Sequence, residues 1–233
     1  MPAIAYKLEW DKTGERLYRL GTRRGVLYTM DASGNYEEGV AWNGLTGVDE
    51  NPEGAETQDI WADNIKYASY QTPEKHKGTI KAYTFPDEFK ECNGLKSPSD
   101  AAGLTFGQQK RKRFGFCYRT EIGSDTNSAA GYVIHIVYNS VAGVSSVSHA
   151  TSSENPTPEE MSWEYNSTPV NVTGVTGVET TSTVEISSLN FTTAQMEAIE
   201  SVLYGTAGSG GSEGVAPRLP LPGEVYTIIK SAA

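Results

Sequence analysis

The chain has 233 residues, 37% hydrophobic and 21% charged, with 19 Lys and Arg against 29 Asp and Glu. This composition is ordinary for a globular protein with one good core, and a single all-β unit often reaches such a length. The formal charge of -10 creates a field that repels phosphate, which argues against a surface built to grip nucleic acid while leaving a passage for DNA compatible.

Met1 to Trp10 include Lys7 and Glu9, and no later stretch approaches the roughly 20 apolar residues of a membrane helix, so neither a secretion signal nor a span is expected. Cys92 and Cys117 lack paired metal-ligand spacing and are read as reduced structural thiols.

In chain order, Ile4, Tyr6, Leu8 and Trp10 alternate with Ala5, Lys7 and Glu9, predicting a strand. Val26 to Met30 and Tyr36 to Trp42 flank Asp31-Ala32-Ser33-Gly34-Asn35, a hairpin pattern. Gly44 to Asp59 is rich in Gly, Asp, Glu, Asn and Pro and reads as a long exposed loop with too few apolar residues to order against a core. A loop of that length in a compact domain has a job, such as ordering on a neighbouring subunit.

Strand patterns follow at Ile60 to Ser69, Thr79 to Phe85, Arg113 to Glu121, Tyr132 to Asn139, Val144 to Ala150, Met161 to Tyr165 and Val178 to Ser187. A short helix is expected from Pro86, with Asp87 and Glu88 at the positive end of its dipole and Asn93-Gly94 as its stop. Ala194 to Tyr204 is the clearest helix. Thr192 and Gln195 form a capping box, Phe191 and Met196 a staple, and Gly205 the stop, while Met196, Ile199 and Leu203 make an apolar stripe for a sheet.

Thr206 to Gly214 reads as a flexible linker to a Pro-rich stretch and a last strand, Val225 to Ile229. The expected organisation is a mainly β sandwich or barrel over residues 1–205 with a flanking helix, a loop at 44–59, and a docking arm over residues 206–233.

No residue pattern carries chemistry. Gly210-Gly211-Ser212-Glu213-Gly214 matches a nucleophile elbow formally, but it lies in the linker, and all three histidines (His76, His135 and His149) precede it. None of them has a ligand partner at metal spacing. Asp125 to Gly131 lacks the third oxygen ligand of a calcium loop and has its glycine displaced. Glu37-Glu38 and Glu159-Glu160, beside 13 Tyr and 4 Trp, suggest a sugar platform or a glycosidase, but adjacent strand residues face opposite ways and cannot flank one bond. The Asn-x-Ser/Thr triplets at Asn166, Asn171 and Asn190 mean little without a secretion signal. Catalytic residues, cofactors and metals are therefore not expected. The basic run Lys110-Arg111-Lys112-Arg113 is either the solvated start of a strand or a patch that pairs with an acidic neighbour.

Several stretches are collinear with a known family: GVAWNGLTGVDENPEGAE from Gly39, ADNIKYAS from Ala62, TIKAYTFPDEFKECNG from Thr79, GQQKRKRFGFCYRTEIGSDT from Gly107, GYVIHIVYN from Gly131 and EEMSWEYNSTPVNVTG from Glu159. A helix ending in LYG and the arm PRLPLPGEV follow. In these stretches, over nearly its whole length, the chain resembles the major tail protein family of siphophages of Gram-positive hosts. It departs from that pattern at Thr126 to Ala130, where the family more often carries acidic residues and glycine.

The resemblance implies a non-enzymatic virion protein made in the host cytoplasm, with a sandwich-like barrel and flanking helix assembled as stacked six-membered rings. Its implied partners are other copies of itself, other tail proteins at the tube ends, and the tape measure protein and passing DNA in the lumen without specific binding, with no membrane. The candidate subunit contacts are Leu45, Val48, Asp49, Glu50, Glu53 and Glu56 in the loop, Lys110, Arg111, Lys112 and Arg113 in the basic run, and Arg218 and Leu219 in the arm. The alternatives are a monomeric carbohydrate-binding or adhesin-like β module and the inner tube of a contractile tail.

Overall fold

A computed structural model describes residues 8–101, 103–145, 149, 151, 158–208 and 213–232. In chain order it runs β1 (Leu17–Thr29), β2 (Val40–Trp42), β3 (Leu45–Glu50), β4 (Thr57–Ala62), β5 (Ile65–Gln71), β6 (Lys77–Ala82), the single-turn α1 (Phe89–Cys92), β7 (Phe114–Ser124), β8 (Gly131–Ala142) and β9 (Met161–Ser167). There follow β10 (Val170–Asn171), β11 (Thr180–Thr181), β12 (Thr183–Ser187), α2 (Thr193–Tyr204) and α3 (Pro222–Ser231). The protein is mainly β, as its period-two patterns predict.

The main sheet is antiparallel, in the order β2-β1-β7-β8-β9-β6-β3, with β12 added to β8. Its terminal strands β2 and β3 are separated in sequence only by Asn43 and Gly44, so the sheet rolls back on itself. Trp42 Nε1 donates to the Thr84 carbonyl at 2.9 Å across that seam. At Gly25 an added Cβ would come within 3.2 Å of Leu45 Cδ2 and Trp42 Cβ, so a larger residue there would require these side chains to give way at the seam.

Because side chains alternate, the strands supply two cores. Inside the roll lie Leu27, Trp42, Ile80, Phe89, Phe114, Phe116, Val137, Trp163 and Tyr165. On the outer face Val26, Tyr28, Ile134, Ile136, Tyr138 and Ile186 pack under Met196, Ile199 and Leu203 of α2 and Val225 of α3. The α2 capping box forms as predicted, with Gln195 N donating to Thr192 Oγ1 and Thr192 N to Gln195 Oε1. Gly205, at φ 73°, ends the helix in the region that favours glycine. The predicted turn at Asp31 closes through its carboxylate, which accepts from the N–H groups of Ser33 and Asn35.

Four expectations are corrected. Residues 44–59 are not a loop: Leu45–Glu50 is β3, and Leu45 and Val48 pack against the inner core despite the polar composition around them. Ile60 to Ser69 is not one strand, because Asp63 and Asn64 both take positive φ (48° and 61°) and fold it into the hairpin β4-β5 with a type I′ turn. Val225 to Ile229 is not a strand but the middle of α3, started by Pro222 at its first turn. Val178 to Ser187 is likewise interrupted, as β11 and β12. The first strand, through residue 7, most of Val144 to Ala150, and residues 210–212 of the formal elbow lie outside the described residues.

Phe89 is fully buried, with ring centroids 4.6 Å from Trp42, 5.3 Å from Trp163 and 5.6 Å from Phe114. Phe89→Ala is expected to lower stability by about 3–5 kcal/mol, measured by urea unfolding, whereas a loss below about 1 kcal/mol would mean that α1 does not anchor the inner core.

Candidate interaction surfaces

Beyond the sheet, β3 and β6 continue as a two-stranded ribbon. The Glu50↔Gly78 pairing passes through Asn51 N to the Lys77 carbonyl and the Glu53↔Lys75 bridge into Thr57↔Gln71 without a change of register. From Thr57 to the Asp63-Asn64 tip the paired strands of the ribbon extend roughly 20 Å at strand rise.

Its register sets Ile60, Ala62, Ile65, Ala68 and Tyr70 on one face, and Asp59, Lys66 and Ser69 on the other. On the polar face Asp59 pairs with Lys66 at 2.7 Å and accepts from Ser69 Oγ at 2.7 Å. The face with Ile60, Ile65 and Tyr70 is open to solvent, with Gln58 beside Tyr70, and Trp61, opposite Lys66 on the other face, and Tyr67, at the bulge, are exposed as well. Two strands in water are marginal, and each such side chain is worth about 1.5–3 kcal/mol when fully buried, so this face calls for a partner surface.

The second surface is a pair of sheet edges. β2 pairs with β1 only through Gly25, Val26 and Leu27, so the half of β1 from Leu17 to Arg24 has β7 alone as a partner. β12 has β8 alone. The segment β1-β7-β8-β12 is therefore a four-stranded antiparallel sheet open at both edges among the described residues. Leu17, Tyr18 and Leu20 are exposed on the β1 side. A groove of about 530 Å³ crosses one face of the segment between Leu17, Arg19, Ile122, Val133, Glu185 and Phe191. Exposed apolar edges of this kind template pairing with another chain.

Where the inner core meets this segment, His135 is buried and stacked on Tyr118, with ring centroids 4.6 Å apart. Its Nε2 is 2.9 Å from Thr120 Oγ1, while Nδ1 faces Glu185 at 3.5 Å and Glu50 at 4.0 Å without a hydrogen bond. Tyr118 donates to Glu50 at 2.5 Å. Burial pulls the His135 pKa down, opposed by Glu185 and Glu50 and aided by Arg19. Burial lowers His76 as well. Cys92 and Cys117 are buried free thiols, each pushed up to about 12 by desolvation, which makes them unreactive at neutral pH.

The residues singled out in the sequence do not form one site. Asp49 pairs with Lys81 at 2.7 Å, Glu53 with Lys77, and at the root of the hairpin Thr72 N donates to the Glu56 carbonyl while Glu56 N donates to Thr72 Oγ1. In the basic run, Arg111 donates to the Ala142 and Gly143 carbonyls, Lys112 pairs with Glu37 at 2.6 Å, and Arg113 donates to Asn139 Oδ1 at 2.7 Å. Lys110 alone of the four has no ion pair or side-chain hydrogen bond among the described residues. Arg218 is held by Glu224, and Leu219 is buried in the outer core. The hairpin face and the two edges went unnoticed in the sequence: Asp63-Asn64 marks the turn, but an unpaired edge depends on which strands are neighbours.

No family model matches this chain, and no curated protein matches it. Among solved structures it overlaps a sheath/tube terminator of an extracellular contractile injection system (PVC) in the extended state, with 11% identity, a TM-score of 0.31, and coverage of 77% of this chain and 99% of that chain. It also overlaps a chain of the anti-feeding prophage (AFP) baseplate, with 6% identity, a TM-score of 0.29, and coverage of 77% and 97%. Superposition at these scores is too loose to establish a shared fold.

Replacing Gln58 to Tyr70 with a short Gly-Ser linker is expected to leave the far-ultraviolet circular dichroism and melting temperature of the rolled sheet nearly unchanged. A melt that falls with the deletion would place the ribbon in the core instead. His135 gives a pH signature. Its folded pKa lies below the ordinary 6.5, so the unfolded chain takes up the proton first. The stability due to neutral His135 is complete above that value and is lost as pH falls through the depressed one. The melting temperature should therefore drop as pH falls below the ordinary 6.5, and His135→Gln should flatten part of that slope. An unchanged slope in the variant would rule out His135 as a source.

Proposed function

We propose that this chain is a tail tube subunit of a long-tailed bacteriophage, a structural protein that performs no reaction and builds a conduit for DNA by stacking rings of identical copies. The reading rests on the family-like stretches of the sequence and above all on one observation: among the described residues the four-stranded segment is open at β1 on one side and at β12 on the other. Because the segment has an even number of alternating strands, copies related by rotation bring β12 of one antiparallel to β1 of the next. The ladder then continues around a ring, and closure removes both edges. Six copies to a ring follows from the family resemblance.

The ribbon β4-β5 exposes Ile60, Trp61, Ile65, Tyr67 and Tyr70, and in this reading it lies on a copy in the same ring or in the adjacent one. The negative total charge suits a passage that must release DNA, since basic walls would hold phosphate by counterion release. Other tail proteins would meet the same edges and ribbon where the tube ends.

Ser188 N donates inward to Tyr132, so by strand alternation the N–H of Ser187 points away from β8, toward the open side. Proline at such an edge position removes a donor that the isolated chain does not use. Ser187→Pro is expected to retain the circular dichroism of the parent chain yet form no tubes in negative-stain electron microscopy at concentrations where the parent does. Tubes of normal diameter from Ser187→Pro would refute pairing through β12. A parent chain that stays monomeric at every concentration, alone and with its tail partners, would refute the tube itself.

A further inference from the structure

Arg19 lies on the open half of β1 and Glu185 on β12, so the two opposite edges of the four-stranded segment carry opposite charges. Within one copy the two side chains reach each other, Nη2 to Oε2 at 3.5 Å, although β7 and β8 run between their strands. They do so on one face of the sheet, where both line the groove with Ile122 and Val133. Their side chains are 59% and 50% exposed, so water screens the pair and it is loosely held. Near Glu185 stand His135 and Glu50. The other basic residues of the β1 edge are already engaged by their own chain: Arg16 by Asp125 at 4.0 Å, Arg23 by Glu121 at 2.6 Å and Arg24 by Glu200 at 3.3 Å.

We propose that Arg19 and Glu185 fix partner choice and register when copies join, exchanging their bridge within one chain for the same bridge between β12 of one copy and β1 of the next. This rests on the edge-to-edge reading above and adds the residues that make it selective. In one copy the bridge must span two intervening strands. Across a junction β12 and β1 are direct neighbours about 4.8 Å apart, on the same face, where opposite charges on facing strands attract and like charges repel. The occupant is a second copy because a basic edge in a chain of net charge -10 finds its complement on the acidic edge of the same molecule. Since the bridge within one chain is weak, exchanging it removes little from the free subunit, and specificity comes from the like-charge contact that a wrong register would create.

Charge reversal tests this with the full chain. Arg19→Glu makes both edges acidic and Glu185→Arg makes both basic, so each variant alone should assemble at least tenfold less readily, by light scattering and electron microscopy. An equimolar mixture should recover tubes by alternating the two, and the double variant Arg19→Glu with Glu185→Arg should assemble alone. Either single variant assembling like the parent, or a mixture that stays dispersed while the parent forms tubes, would overturn the pair. Dispersed mixtures alongside an assembling double variant would likewise overturn it, since both carry complementary edges.

If a reversal unfolds the chain by circular dichroism, Arg19→Gln and Glu185→Gln replace it. Each must then raise the concentration needed for assembly, and unchanged concentrations overturn the inference. Failure of the underlying edge pairing reads differently, because tubes would then persist in Ser187→Pro.

Discussion

The arrangement of the main sheet sets the rest of the structure, and among the described residues two of its margins, along β1 and β12, are left unpaired. Inside the roll the strands between β2 and β3 are paired on both sides, and the seam where β2 and β3 meet without a ladder is shut by the aromatic packing of Trp42, Phe89 and Trp163. That packing holds β1 and β7 so firmly at one end that their other ends extend past the roll as a stable platform for β8 and β12.

The two faces of the platform differ in chemistry. One is sealed by α2, whose Met196, Ile199 and Leu203 sit over Ile134, Ile136 and Ile186, with Arg119 stacked over Tyr132 at 3.4 Å nearby. The other carries Arg19, His135 and Glu185 beside an open groove. A sheet covered by a helix on one side and wet on the other reads as alternating strands, and the alternation of exposed Glu185 with buried Ile186 in β12 has that cause.

Much of the fold was legible because its signals are local. The capping box at Thr192 and Gln195, the Gly205 stop and the Asp31 turn depend on residues three or four apart, and each formed as its chemistry dictates. The errors share one origin. Leu45–Glu50 is a polar edge strand ordered by pairing with β6 and by two apolar contacts, so its composition imitates a loop. Val225 to Ile229 is a β-branched run held helical by Pro222 at its start and by packing under Leu203, so tertiary context overrode propensity. The candidate contacts were scattered for the same reason. Charges such as Asp49, Glu53, Lys112 and Arg113 looked available in sequence and are paired with chain neighbours that only the sheet register brings close.

The two open edges belong to different strands, so any junction built from them is heterologous: each copy offers a plug at one side and a socket at the other. In the proposed ring, a molecule damaged at β12 alone would still accept a neighbour through β1 and pass nothing onward. Such a molecule acts as a chain terminator rather than a bystander. A small fraction of one-sided subunits would then poison assembly out of proportion to its abundance, a dominance written into the topology before any side chain is considered.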